Sequence, residues 1–115
     1  HATLGIFGIG SITLDKDISS VYRTGFLSEE EIHILAAQGA VANVCAWAIN
    51  EQGEVLDCDV NQRMIAADFF ALRDAPTRII GVAAGERKAQ AIQAVLRSKF
   101  LDVLITDSTA AELLL

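Results

Sequence analysis

Residues 77–92 constrain the fold more than any other part of this 115-residue chain. Residues 78–82 (RIIGV) form an apolar, β-branched run typical of a buried strand, and a turn containing Gly85 follows. Residues 86–98 then show the apolar spacing of an amphipathic helix. Main-chain N–H groups and the positive end of the helix dipole meet at such a junction, and Lys88 adds an ammonium. The segment therefore predicts a site for phosphate or another small anion.

Strands and helices alternate along the rest of the chain. Strands are predicted at residues 2–9, 78–82 and 101–106, the first of them buried on both faces. Helices are predicted at residues 28–39, 64–72 and 86–98, and from about residue 109 onward. This alternation is typical of βαβ units with right-handed crossovers, so the expected fold class is α/β with a parallel sheet.

Local signals place several turns and helix ends. Ser28 and Glu31 have the spacing of a capping box, and Gly39 is expected to end the helix that they open. Residues 41–49 and 53–57 predict a β-hairpin with its turn at residues 50–53, forming an insertion or an edge of the sheet. A tight turn is predicted at residues 8–11. A loop or short helix is predicted at residues 15–24, and it ends at Gly25.

Charge and cysteine content exclude some classes of function. The net charge of -6 argues against direct contact with DNA, because phosphate backbones are bound mainly by clustered Lys and Arg. Cys45 and Cys58 lack the spacing of metal ligands. Two reduced thiols are the favoured interpretation, and a disulfide between them is the alternative if they lie on paired strands. With neither a signal peptide nor an apolar run of about 20 residues, we expect a soluble, cytoplasmic protein without a membrane partner.

Candidate binding residues cluster where predicted strands end. Ligands of open parallel sheets bind outside the carboxyl ends of the strands, which here are residues 8–11, 83–88 and 106–108. Gly8 and Gly10 would allow close approach of a ligand or simply form a turn, and Ser11 adds a hydroxyl. Asp107 is interpreted mainly as the N-cap of the last helix. Lys88 is the strongest candidate for a residue that binds an anion.

Enzymatic patterns are weak by comparison. His33 lies inside the helix opened by Ser28, and no nucleophile with a base partner can be placed near it. The chain has no HExxH, P-loop or GxSxG motif. The sequence therefore favours binding over catalysis and predicts neither a cofactor nor a metal.

Five sequence blocks resemble, in order and spacing, the SorC/DeoR-type bacterial sugar-responsive transcriptional regulators. They are residues 8–11 (GIGS), 23–28 (RTGFLS), 39–44 (GAVANV), 81–92 (GVAAGERKAQAI) and 104–107 (LITD). The resemblance implies that residues 1–115 are the C-terminal part of a Rossmann-like effector domain. Both termini interrupt predicted elements, in agreement with a fragment that lacks the family's N-terminal helix-turn-helix domain.

The same resemblance implies partners. The expected effector is a sugar or sugar phosphate, and the expected assembly is a homo-oligomer, a dimer or tetramer. DNA would be bound only through the missing N-terminal domain. The effector domain is similar in fold to sugar-phosphate isomerases and glucosamine-6-phosphate deaminases.

Site roles carry over residue by residue. Lys88 matches the family's phosphate-contacting lysine, and Arg23 matches a basic residue that could grip a second anionic or hydroxyl group. Asn43 stands where many members have an acid that contacts sugar hydroxyls, and an amide also donates hydrogen bonds. Ala84 replaces the first glycine of a Gly-Gly-Glu pattern. The predicted ligand-binding set is Gly8, Gly10, Ser11, Arg23, Asn43, Gly85, Glu86 and Lys88.

Two other functions stay open at this point. The related enzymes place an acid and a histidine soon after the glycine turn, whereas residues 11–14 are Ser-Ile-Thr-Leu. An isomerase- or deaminase-like enzyme fragment is one alternative, and an oligomerisation module without a ligand is the other. The favoured hypothesis is an effector that is bound, not transformed, and that controls DNA binding through rearrangement of the oligomer.

Overall fold

The computed structural model describes residues 3–15, 19 and 23–115. The predicted loop or short helix at residues 15–24 falls largely outside the described residues. The strands are β1 (Leu4–Ser11), β2 (Ala40–Val44), β3 (Trp47–Asn50), β4 (Arg78–Val82) and β5 (Val103–Ile105). The α-helices are α1 (Glu29–Ala37), α2 (Asp59–Arg63), α3 (Phe69–Asp74), α4 (Ala89–Arg97) and α5 (Ser108–Leu114), and a 3-10 turn (Glu86–Lys88) precedes α4.

The five strands form one mixed sheet in the order β3-β2-β1-β4-β5. Strands β1, β4 and β5 run parallel, and the β2–β3 hairpin adds two antiparallel strands beside β1. The α/β class, the parallel centre and the added hairpin are therefore confirmed. Strand β4 begins and ends as predicted, and α4 connects it to β5 as a βαβ crossover.

Strand β1 corrects two predictions. Residues 8–11 are not a tight turn, because Ile9, Gly10 and Ser11 pair with β2 after the first five residues of β1 have paired with β4. Pairing with β2 thus extends β1 through residues whose composition is typical of a turn. The strand is also not buried on both faces, since the exposed fractions of Leu4 and Ile6 are 50% and 66%.

A turn that was not predicted divides the strand expected at residues 41–49. Strands β2 and β3 meet at Cys45 and Ala46, which both have positive φ (51° and 70°) although neither is glycine. The predicted turn at residues 50–53 is present as a second reversal, in which Gly53 N–H donates to the Asn50 main-chain O over 3.0 Å. Because residues with positive φ are usually Gly or Asn, the first turn left no signal in the sequence.

The predicted helix at residues 64–72 is wrong in its bounds. Helix α2 ends at Arg63 and α3 begins at Phe69, with the Asp68 carboxylate accepting the Ala71 N–H at its N-cap. Asn61 is buried in α2, and its amide pairs with both the N–H and the main-chain O of Ala48. This tertiary bond holds α2 against β3, which local periodicity did not indicate. The break after α3 at Pro76 is as predicted.

Two apolar clusters sit on the two sides of the sheet. Helix α4 packs Ala91, Ile92 and Val95 against one side, where Phe69 and Phe100 also stack with ring centroids 4.4 Å apart. Helices α1 and α2 cover the hairpin on the other side. The Ser28–Glu31 capping box of α1 is confirmed by both of its hydrogen bonds.

Part of the sheet has an exposed apolar face. Its exposed side chains are Leu4, Ile6, Val82, Val103 and Ile105. Cys45 and Cys58 are free thiols, and burial raises the pKa of the Cys45 thiol. Within the described ranges, none of the helices has the length and apolar character that crossing a membrane requires.

Candidate functional site

The carboxyl ends of β1 and β4 form a step in the sheet. Strand β4 stops at Val82, opposite Gly8, while β1 continues for three more residues to pair with β2. Main-chain groups of β1 beyond Gly8 therefore do not pair with β4. The loop that follows β4 carries Gly85 and the 3-10 turn towards this step.

Lys88 reaches the step from the end of the 3-10 turn. Its Nζ donates a hydrogen bond of 2.7 Å to the main-chain O of Ile9. Burial lowers the pKa of this ammonium, because water solvates it less than in a free lysine. No ion pair between Lys88 and a carboxylate is found among residues 3–15, 19 and 23–115. The step thus holds a half-buried cation that donates a hydrogen bond to one carbonyl oxygen.

Two of the predicted glycines, Gly8 and Gly85, border open space. A Cβ built on Gly8 or on Gly85 would meet nothing within 4 Å. Gly85 also has a φ of 98°, a conformation that L residues rarely adopt, so glycine is required there by the backbone. The Gly85 N–H is already engaged, since it donates to Asp107 Oδ2 over 3.0 Å.

Asn43 lies in a larger cleft on the side of the sheet that α1 and α2 cover. The cleft has a volume of about 510 Å³ and mostly apolar walls. Asn43 Oδ1 is buried there and has no hydrogen-bond partner in the described part of the chain. An unpaired buried acceptor is costly, so it points to a missing donor. The charged side chain in the lining is Arg63, which pairs with Glu31 and Asp59.

The other lining residues of this cleft come from four segments of the chain. They are Ile12, Thr24, Phe26, Leu27, Leu35, Ala46, Ala48, Val60, Met64 and Ile65. Phe26 and Ile65 are strongly exposed at its rim. Sequence reasoning did not identify this apolar surround, because it joins segments far apart in the chain.

Ser11 faces the opposite side of the sheet from Asn43. Its register partner is Ala42, whereas Gly10 is opposite Asn43, and successive residues of a strand point to opposite faces. Ser11 lines a smaller cleft of about 230 Å³ together with Arg87 and Gln90 of the α4 side. The structure therefore does not bring the Ser11 and Asn43 side chains together.

Arg23 and Glu86 are both exposed. Arg23 borders residues outside the described ranges, and its neighbour Thr24 lines the larger cleft. The structure gathers Lys88, Gly8, Gly10 and Gly85 around the step in the sheet, and Asn43 reaches the adjacent cleft. The ligand roles of all eight residues stay predictions.

The role of Asp107 was predicted from the sequence only in part. Its role as N-cap of α5 is confirmed, since Oδ1 accepts the Ala110 N–H over 3.0 Å. The second bond, to Gly85, spans 22 residues and left no local signal. These main-chain hydrogen bonds hold the pKa of the Asp107 carboxyl below its usual value.

Two observations on the described part of the chain bear on catalysis. His33 is exposed on α1, with Nε2 3.9 Å from the carboxylate of Glu29. Within the described ranges, no group of three or more His, Cys, Asp or Glu side chains could hold a metal ion.

Comparisons with known proteins agree on one family. The family model Sugar-bind, described as "Putative sugar-binding domain", matches residues 1–115. The transcriptional regulator LsrR of Enterobacter sp. (strain 638) is 35% identical over 115 residues, which are 99% of this chain and 35% of that protein. The chain thus spans about a third of the length of this curated relative.

Solved structures show the same fold. A DeoR family transcriptional regulator from Listeria monocytogenes superposes with a TM-score of 0.88 at 22% identity, covering 98% of this chain and 44% of that one. The full-length sorbitol operon regulator SorC from Klebsiella pneumoniae gives a TM-score of 0.81 at 26% identity, covering 97% and 35%. The chain belongs to the sugar-binding domain family of SorC- and DeoR-type transcriptional regulators.

Proposed function

We propose that this chain is the effector-binding part of a transcriptional regulator that senses a sugar or sugar phosphate without transforming it. The observation that carries the proposal is Lys88, a half-buried ammonium at the step where β4 ends and β1 continues. A phosphate oxygen could replace the carbonyl of Ile9 as its partner and gain a charge-assisted hydrogen bond.

The sugar would extend from Lys88 across Gly8 and Gly10 towards the cleft with Asn43. The unpaired Oδ1 of Asn43 would then accept a hydrogen bond from a sugar hydroxyl. The mostly apolar walls of the cleft suit the C–H faces of a sugar ring. The similar structure from Klebsiella pneumoniae is that of a sorbitol operon regulator, which supports a polyol or sugar as the effector class.

Sensing without turnover is supported by the residues after β1. Residues 11–14 are Ser-Ile-Thr-Leu, with neither a carboxylate nor an imidazole to move a proton on a bound sugar. The relatives found are transcriptional regulators.

Control of DNA binding would follow from a population shift. A ligand that binds this site more tightly in one arrangement of the subunits than in another favours that arrangement. Three charge-assisted hydrogen bonds at about 1.5 kcal/mol or more each exceed the roughly 1.4 kcal/mol of a tenfold shift. The change would reach the operator through DNA-binding domains outside this chain.

A thermal-shift screen of sugars and sugar phosphates against the full-length protein tests the proposal. We expect one class of ligand to raise the melting temperature, since saturation at about 100 times Kd adds about 2.7 kcal/mol of stability. Turnover of the same ligand would favour the enzyme alternative. No shift with any sugar or sugar phosphate would favour an oligomerisation module and overturn the proposal.

A further inference from the structure

The Asp107 carboxylate joins two elements at the candidate site. Its Oδ2 accepts the N–H of Gly85 in the loop after β4, and its Oδ1 accepts the N–H of Ala110 in the first turn of α5, each over 3.0 Å. Asp68 caps α3 through the same kind of bond, in which its Oδ1 accepts the Ala71 N–H. Capping of α5 therefore does not require the second hydrogen bond, the one from the Gly85 N–H.

The Gly85 amide is one of the groups that an anion at this junction would use. A main-chain N–H donates one strong hydrogen bond, so a phosphate oxygen can take it only after Asp107 has left. The departing group is itself an anion, and two anions near one amide repel each other. A Cβ at Gly85 would meet nothing within 4 Å, so there is open space beside the α-carbon of this residue.

We infer that Asp107 is a specificity-determining residue of the effector site, a built-in carboxylate that competes with anionic ligands for the Gly85 amide. The inference rests on the proposed function. It predicts that the site binds a phosphate group more weakly than Lys88 alone would allow. A ligand then has to supply further contacts, such as sugar hydroxyls in the cleft with Asn43, to displace the carboxylate.

The variant that separates competition from capping is Asp107→Asn. Asparagine caps helices about as well as aspartate, so its Oδ1 can keep the Ala110 bond. Its Nδ2 then faces the Gly85 N–H as a second donor, so this bond is lost together with the negative charge. Asp68→Asn is the matched control, since it makes the same chemical change at a cap away from the site.

Calorimetric titration of the full-length protein with inorganic phosphate tests the inference. We expect Asp107→Asn to bind phosphate about tenfold more tightly than the wild type, which corresponds to about 1.4 kcal/mol. Asp68→Asn should leave the affinity unchanged, and Lys88→Met should abolish binding in either background. Hydrogen exchange of the Gly85 amide, measured without ligand, should be faster in Asp107→Asn.

The outcomes separate the two claims. Binding that depends on Lys88 but is equal or weaker in Asp107→Asn overturns the role of Asp107 and leaves the anion site standing. Unchanged exchange at Gly85 also overturns it, because the amide would not have been released. Absence of phosphate binding in every variant overturns the anion site and the inference together.

Discussion

Glu31 shows how single side chains in this fold are held by main-chain groups. Its carboxylate accepts the Ser28 N–H and pairs with Arg63 at the rim of the larger cleft. The Ser28 amide, and after it the Arg63 guanidinium, hold the pKa of the Glu31 carboxyl below its usual value. Ionised Glu31 therefore stabilises the folded chain more than the unfolded one.

The pH dependence of stability follows from this direction. The stabilisation is fully present above the unfolded pKa near 4.5, and it is lost as the pH falls through the lower folded value. We expect Glu31→Gln to lower the melting temperature at about pH 7 and to match the wild type at about pH 2. A melting-temperature difference that stays constant over this range would contradict the assignment.

Lys88 and Asp107 show which properties of single residues could be predicted from the sequence and which could not. The sequence placed Lys88 at a strand–helix junction, and the structure agrees, because an apolar run, a glycine and an amphipathic stretch are local signals. The bond from Lys88 to Ile9 spans 79 residues and the bond from Asp107 to Gly85 spans 22. Contacts of that range depend on the sheet order, which local patterns do not encode.

Glycine at two reversals allows a matched test at the scale of elements. Gly39 after α1 and Gly53 after β3 both have positive φ, at 94° and 85°. A Cβ on Gly39 would meet nothing within 4 Å, whereas one on Gly53 would strike the backbone of Ser98 at the end of α4. The turn after β3 is thus packed directly against α4.

We expect the two alanine variants to differ. Gly39→Ala should cost about 1 kcal/mol from backbone strain alone, as single residues with positive φ do. Gly53→Ala should cost clearly more, because α4 or the turn must also move. Urea unfolding of both variants checks the difference, and equal losses would mean that the turn does not contact α4 as described.

Elements with strong local signals were predicted, and those stabilised by tertiary contacts were not. The capping box of α1 and the bounds of β4 follow from short patterns. Strand β1 runs on through residues 8–11 because β2 pairs with it there. Helix α2 is held by the buried amide of Asn61, and the hairpin turns at Cys45 and Ala46 without a glycine.

Burial across the sheet is uneven on the scale of the whole molecule. Ile79 is 2% exposed against α4, whereas Ile6 on the other face is 66% exposed. Ile79→Ala should therefore cost about 2–5 kcal/mol of unfolding free energy. Ile6→Ala should cost less than about 1 kcal/mol in this chain, because little apolar surface returns to water. Chemical denaturation of the two variants tests whether this face is open.

The proposed allosteric role adds a prediction about assembly. Light scattering of the full-length protein, with and without the ligand found by thermal shift, should show a ligand-dependent change in subunit arrangement or number. Lys88→Met should not respond, because the ligand would no longer be anchored at the start of α4. A wild-type assembly that is identical at saturating ligand would contradict control through oligomer rearrangement.

The role of Lys88 in anchoring the ligand is tested by calorimetry of a sugar phosphate with Lys88 variants of the full-length protein. Lys88→Met removes the ammonium, while Lys99→Met removes an exposed lysine beyond the far end of α4. We expect at least a tenfold loss of affinity for Lys88→Met, about 1.4 kcal/mol or more, and no change for Lys99→Met. Equal affinity of Lys88→Met and the wild type would show that the ligand is held elsewhere.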